Sequence, residues 1–319
     1  MTSVTRTRTA RSGRARPAIA AHRLLLVIAA LTLAPSGRAW AGNEANFVLY
    51  THHTEEKGEV EFEYMMDFST DVKGEPPYMA NMLEFDYGVT NWWTLEFMAE
   101  GQQTEGQDYV NTGWRLENRF RLFPYGTFLN PVIYTEYESL KPETKFLMEV
   151  SGRTDAPESP GPEKDERIGE TRLILGEDIS DRLDAAFNWI NETDTRTGDT
   201  AFGYVFGLNY TIYGGMGMSG MPGMTMGNER SSSHGEHEGS ASPSRLFAVS
   251  HVMLGLEMFG GLGDTNLGLT LDPNVTAHYA SANLMMQFEN GLHLMVGLAE
   301  GLTEVSQDRL IRTMVKYEF

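Results

Sequence analysis

The sequence predicts an all-β fold, a transmembrane antiparallel β-barrel of about twelve strands after a cleaved leader. Three observations carry this. Stretches of roughly ten to thirteen residues alternate apolar and polar side chains between Gly, Asn, Asp or Pro. The chain opens on a basic and then apolar leader, and its last alternating stretch closes on an aromatic, Phe319, with Ile311, Val315 and Tyr317 on the same face.

The leader carries Arg6, Arg8, Arg11, Arg14, Arg16 and Arg23 ahead of an apolar core from Leu24 to Leu33. That core is too short for a membrane-spanning helix, which needs about twenty residues, and it is followed by the small-x-small exit Ala39-Trp40-Ala41. Residues 1–41 are therefore expected to be a signal peptide cut near Ala41, and 42–57 a periplasmic segment leading into a barrel over 58–319.

The clearest strand is Gly58 to Phe68, where Val60, Phe62, Tyr64, Met66 and Phe68 alternate with Glu59, Glu61, Glu63, Met65 and Asp67. So many carboxylates on one face suit a wet lumen better than the core of a soluble sandwich. Further strands are expected near 79–90, 92–103, 111–122, 129–139, 166–178, 182–193, 201–213, 246–259, 275–289, 291–302 and 306–319. Tight turns at Thr90-Asn91, Ser180-Asp181 and Asn290-Gly291 alternate with longer connections near 104–110, 140–165, 194–200 and 260–274, as short periplasmic turns and long outer loops require. Short strands at Lys145–Val150 and Phe47–Thr51 would raise the number to fourteen, the alternative architecture. Phase places 214–244 on the periplasmic side as a Met/His-rich flexible loop. Trp92, Trp93, Trp114, Phe123, Tyr125, Trp189 and Tyr213 fall near strand ends, where interfacial aromatic girdles occur.

Composition narrows the functional classes. The chain has no cysteine, which excludes thiol catalysis and iron–sulfur chemistry. Its net charge is −19, and removal of 1–41, with seven arginines and no acid, makes it −26. Such a chain is no nucleic-acid binder. Beyond the leader there is no run of roughly eighteen apolar residues, so a crossing of the bilayer must be by strands.

Several stretches resemble the meta-pathway phenol-degradation type of outer-membrane protein: Lys57-Gly58-Glu59-Val60-Glu61, Tyr87-Gly88-Val89-Thr90-Asn91-Trp92-Trp93-Thr94-Leu95-Glu96, Pro131-Val132-Ile133-Tyr134-Thr135-Glu136-Tyr137, and Glu170-Thr171-Arg172-Leu173-Ile174-Leu175 with Asp181-Arg182-Leu183. These motifs mark strands and turns. The resemblance implies a twelve-stranded barrel in the bacterial outer membrane with a transport role, and it assigns no solute.

Met216, Met218, Met221, Met224 and Met226, followed by His234 and His237, are the candidate metal ligands. Thioether sulfur suits Cu(I), imidazole suits Cu(II) or Zn, and a Gly-rich backbone lets such ligands converge, so copper is the metal this segment would hold. The bland rival is a low-complexity insertion. His52 and His53, just ahead of the first strand, are expected on the same side of the membrane. His251 with Met253 and His293 with Met295 share faces that should line the lumen. So should Glu59, Glu61, Glu63, Asp67, Glu84, Asp86, Glu96 and Glu100, opposed by Arg115, Arg119, Arg121, Arg172 and Lys316. No carboxylate pair or Ser/His/Asp set stands out as catalytic, and the chain is not expected to be an enzyme. Three readings follow: a channel or transporter for a small solute, a metal-binding barrel, and a structural barrel braced by its own ion pairs. The expected partners are outer-membrane lipid, the barrel-assembly machinery through Phe319, and the solute or metal ion.

Overall fold

The computed structural model describes residues 45–70, 76–141, 144, 165–214 and 248–319, all within one compact unit, Ser36–Phe319. The strands are β1 (Val60–Thr70), β2 (Tyr78–Thr90), β3 (Trp93–Thr104), β4 (Val110–Arg121), β5 (Val132–Leu140), β6 (Glu166–Ser180), β7 (Leu183–Asp194), β8 (Thr200–Tyr213), β9 (Val249–Asp264), the two-residue β10 (Gly268–Leu269), β11 (His278–Phe288), β12 (Leu292–Gly301) and β13 (Arg309–Glu318). Each long strand pairs antiparallel with its neighbours, β8 joins β9, and β1 joins β13 with Tyr64 opposite Val315. The sheet is thereby closed into a barrel of twelve long strands, and β10 only extends the hairpin after β9. Closure leaves no edge, so the ladders satisfy the strand backbones without water. Among the described residues no helix is long and apolar enough to cross a membrane.

The period-two pattern sorts the faces as expected. On β1, Glu61, Glu63, Met65 and Asp67 are buried inside while Phe68 is exposed outside. On β2, Leu83, Phe85 and Tyr87 are exposed and Glu84 and Asp86 buried. The exterior is an apolar surface that continues through Phe97, Leu116, Leu173, Phe206, Leu256, Leu284, Val296 and Leu298. Aromatics cluster on it along β3 to β5, Trp92, Trp93 and Phe120 at the tight-turn end, with Phe97, Trp114 and Tyr137 farther along. An apolar outside around a charged inside is the reverse of a soluble sandwich.

Local chemistry moves some boundaries. The fifth strand starts at Val132 and not at 129, because Leu129 and Asn130 have positive φ and Pro131 has no N–H to give the ladder. The turn is held from the side: Glu177 accepts the Leu129 N–H at 2.9 Å and the Asn130 amide donates to the Gly176 carbonyl. The expected loop at 260–274 is partly strand, since β9 runs on to Asp264 and turns back through β10. Phe47–Thr51 is not a strand. Lys145–Val150 lies outside the described residues.

Candidate channel lumen

Of the segment 42–57, expected to lie in the periplasm, residues 45–55 run inside the barrel, where Phe47, Val48, Leu49 and His52 are buried, while Glu56 and Lys57 are exposed. A single strand of backbone in a barrel has no ladder to join, so its polar groups must find side chains. The Glu257 carboxylate accepts the N–H groups of Phe47, Val48 and Leu49. Asn188 does for Tyr50 what a neighbouring strand would do, accepting its N–H at 2.9 Å and donating to its carbonyl at 2.8 Å. Arg172 donates to the Val48 carbonyl at 3.2 Å and Arg312 to that of Phe47.

The wall is cut to fit this segment. Glycines occupy inward positions wherever it lies closest: a Cβ at Gly255 would fall 1.8 Å from the Ala45 carbonyl oxygen, at Gly88 1.9 Å from that of Glu56, at Gly176 2.5 Å from Nδ1 of His52, and at Gly207 2.7 Å from Leu49. At Gly255 and Gly88, where the clash is with the segment's backbone, no larger side chain fits while the segment stays in place; at Gly176 and Gly207 the side chain of His52 or Leu49 would have to shift.

Charge fills the rest of the lumen. Among the described residues eighteen carboxylates are buried, from Glu55 to Glu318, against four arginines, Arg115, Arg119, Arg172 and Arg312, with Lys316 nearly so. Arg312 grips Asp67 through two bonds of 2.7 Å. Arg115 bonds Glu100 and reaches Glu138 at 3.4 Å and Glu136 at 3.6 Å. Arg119 bridges Glu96 and Glu55, Arg172 bonds Glu170, and Lys316 bonds Glu61. The Arg172 guanidinium also lies 4.9 Å from the ring centre of Tyr50 and 4.7 Å from that of Tyr134. Burial, then Glu117 nearby, pushes the Tyr50 phenol well above its ordinary value, keeping it a donor to the Glu117 carboxylate at 2.9 Å. Burial works against the charge of Glu55, but the Arg119 guanidinium together with Lys316 and a hydrogen bond from Thr94 holds that carboxyl below its ordinary value. Glu84, Asp86 and Glu96 converge, with one oxygen from each within 4.8 Å of the others. Beside them a cavity of about 80 Å³, room for several waters, is lined by Glu55, Glu63, Glu84, Asp86, Arg119, Arg312, Lys316, Met65 and Met314 and by the segment itself.

Every carboxylate named from the sequence is buried inside, as are Arg115, Arg119 and Arg172. Arg121 lies nearer the surface, 3.7 Å from the Tyr125 ring centre. Met253, His293 and Met295 line the interior, and His293 stands 4.0 Å from Glu318. Met216, Met218, Met221, Met224, Met226, His234 and His237 all lie outside the described residues. Sequence reasoning missed two features. One is the partnership of Glu257, Asn188 and Arg312 with the segment, whose only trace in the sequence is glycine at inward strand positions. The other is a line of methionines: Met82, Met65, Met314, Met295, Met285 and Met253 stand directly opposite one another across six neighbouring strands, all buried. The alternation was readable strand by strand, but only the register brings the six together.

No family model matches the chain, and no curated protein matches it. Among solved structures it is similar to the KdgM porin in complex with disordered oligogalacturonate (9% identity, 82% of this chain and 99% of that one, TM-score 0.45). It is likewise similar to an outer-membrane channel from Pseudomonas putida (10% identity, 83% and 97%, TM-score 0.47) and to the NanC porin (9% identity, 80% and 98%, TM-score 0.45).

Proposed function

We propose that this protein is a channel of the bacterial outer membrane for small cationic solutes, narrowed by its own N-terminal segment. The carrying observation is the excess of carboxylates inside a closed barrel with an apolar exterior. Like charges around a pore concentrate ions of the opposite sign and repel their own. The motifs that resemble the phenol-degradation type of barrel support the same class of role. Export with cleavage after Ala41, and insertion through recognition of Phe319 by the assembly machinery, belong to the proposal; the membrane-inserted protein should begin at Gly42 on N-terminal sequencing. The main test is the reversal potential of the refolded barrel in a planar bilayer under a potassium chloride gradient. Cation preference is expected. Anion preference, or no conductance even after residues 45–56 are deleted, would refute the channel.

Soft-metal handling is a second reading, favoured by the methionine line and by the Met216–His237 composition. Thioethers bind Cu(I) and Ag(I), and six in register offer successive stations. Ag(I) titration should show binding that weakens when Met65, Met314 and Met295 are changed to leucine and again when the five methionines of 216–226 are. Identical titrations for wild type and both variants would remove the metal reading.

A further inference from the structure

We propose that His52, His53 and Asp178 form a site for one divalent ion of the zinc class, joining the lumen segment to the barrel wall. Nε2 of His52 and Nε2 of His53 each stand 3.5 Å from the same oxygen, Oδ1 of Asp178. The two imidazole centres are 4.1 Å apart, and the three ligand atoms all lie within 4.8 Å of one another. As hydrogen bonds the two 3.5 Å contacts are long, since the usual N–H···O range ends near ~3.2 Å. The two 3.5 Å separations fit the edge of a tetrahedron around an ion with bonds of about 2.0–2.2 Å, an edge of roughly 3.4 Å. Two imidazoles and a carboxylate, with a fourth position for water, are a donor set that zinc accepts.

The surroundings hold this geometry. Gly176 lets His52 lie against β6, because any side chain there would meet its ring. The β6–β7 register shifts between Asp178 and Ser180, at the tight-turn end of β6 where Asp178 is partly exposed. Tyr125, from the loop before β5, packs near both imidazoles and accepts the Thr54 N–H at 3.2 Å. His52 is buried, but the side chains of His53 and Asp178 are 28% and 36% exposed, which gives an ion a route from the tight-turn end. Two ligands come from the segment and one from the wall, so an ion bound by all three favours the seated segment by mass action. Binding stands apart from the channel reading; only an effect of the ion on conductance rests on it.

Co(II) is a suitable probe, because its visible absorption reports four-coordinate binding. It is titrated into the refolded full chain carrying His234→Asn and His237→Asn, so that those imidazoles do not compete. One equivalent should bind and be displaced by Zn(II). His53→Asn and Asp178→Asn should each weaken binding about tenfold or more, since loss of even an outer partner of a metal site typically costs ~10- to 100-fold. Glu177→Gln, which alters the neighbouring carboxylate, should leave binding unchanged. Both ligand variants are at partly exposed positions, and heat-modifiability on gels confirms that they fold. Absence of the Co(II) band in the folded protein, or equal affinity in wild type and both ligand variants, would overturn the site.

Discussion

Arg312 shows how much one side chain carries in this lumen. It sits on β13, binds Asp67 of β1 across the barrel seam, donates to the Phe47 carbonyl, and places its guanidinium 4.3 Å from the Phe47 ring centre. Both members of the ion pair are buried. Arg312→Met would keep much of the bulk but take from Asp67 its two-pronged counter-charge, at a cost of roughly 3–5 kcal/mol. Urea unfolding of the refolded barrel measures it, and Arg312→Met with Asp67→Leu together should recover a large part of the loss. A shift below about 1 kcal/mol in the single variant would mean that water already screens the pair. At this scale the sequence was informative about the sign and facing of charges, because alternation alone decides which side a residue takes. It was silent about partners, since Asp67 and Arg312 are 245 residues apart and only the closure of the sheet brings them together.

Among elements, the strands were legible and the segment before them was not. Twelve long strands appear close to the expected ranges because each carries its own period-two pattern; boundaries moved at Pro131 and at the β9–β10 hairpin, and β11 and β13 each start three residues later than expected. Residues 45–57 have no period to read, and their position depends on side chains scattered over other strands. The glycines opposite them supply a test. Gly255→Val would press branched carbon into the space of the Ala45 carbonyl, and a bulky side chain at such a contact cannot be relieved by a small shift. The segment should be displaced while the strand ladder is kept, so conductance should rise with heat-modifiability unchanged. Wild-type conductance in a folded Gly255→Val barrel would show that the segment does not restrict the passage. The Met216–His237 metal site remains a statement of composition, carried by ligand type and density alone.

For the barrel as a whole, the balance of an apolar exterior against an acidic interior decides how it meets its surroundings. A field made by many carboxylates acts beyond any single contact and is weakened by salt, over about 10 Å at 0.1 M and about 3 Å at 1 M. The cation preference measured by reversal potential should therefore shrink several-fold as potassium chloride rises from about 0.1 to 1 M. Preference unaffected by salt would point to selection by a narrow contact and away from the field of the lumen.

The closure of the barrel at β1–β13 also orders events in time. The segment rests on Glu257 of β9 and Arg312 of β13, 210 and 265 residues beyond Phe47. Bringing such distant groups together costs loop entropy before any contact repays it, so these anchors form late. Until β13 arrives, β1 has an unpaired edge and Phe47 lacks the guanidinium that holds its carbonyl. Because one guanidinium holds both Asp67 of β1 and the Phe47 carbonyl, zipping the seam and seating the segment are coupled, and each favours the other.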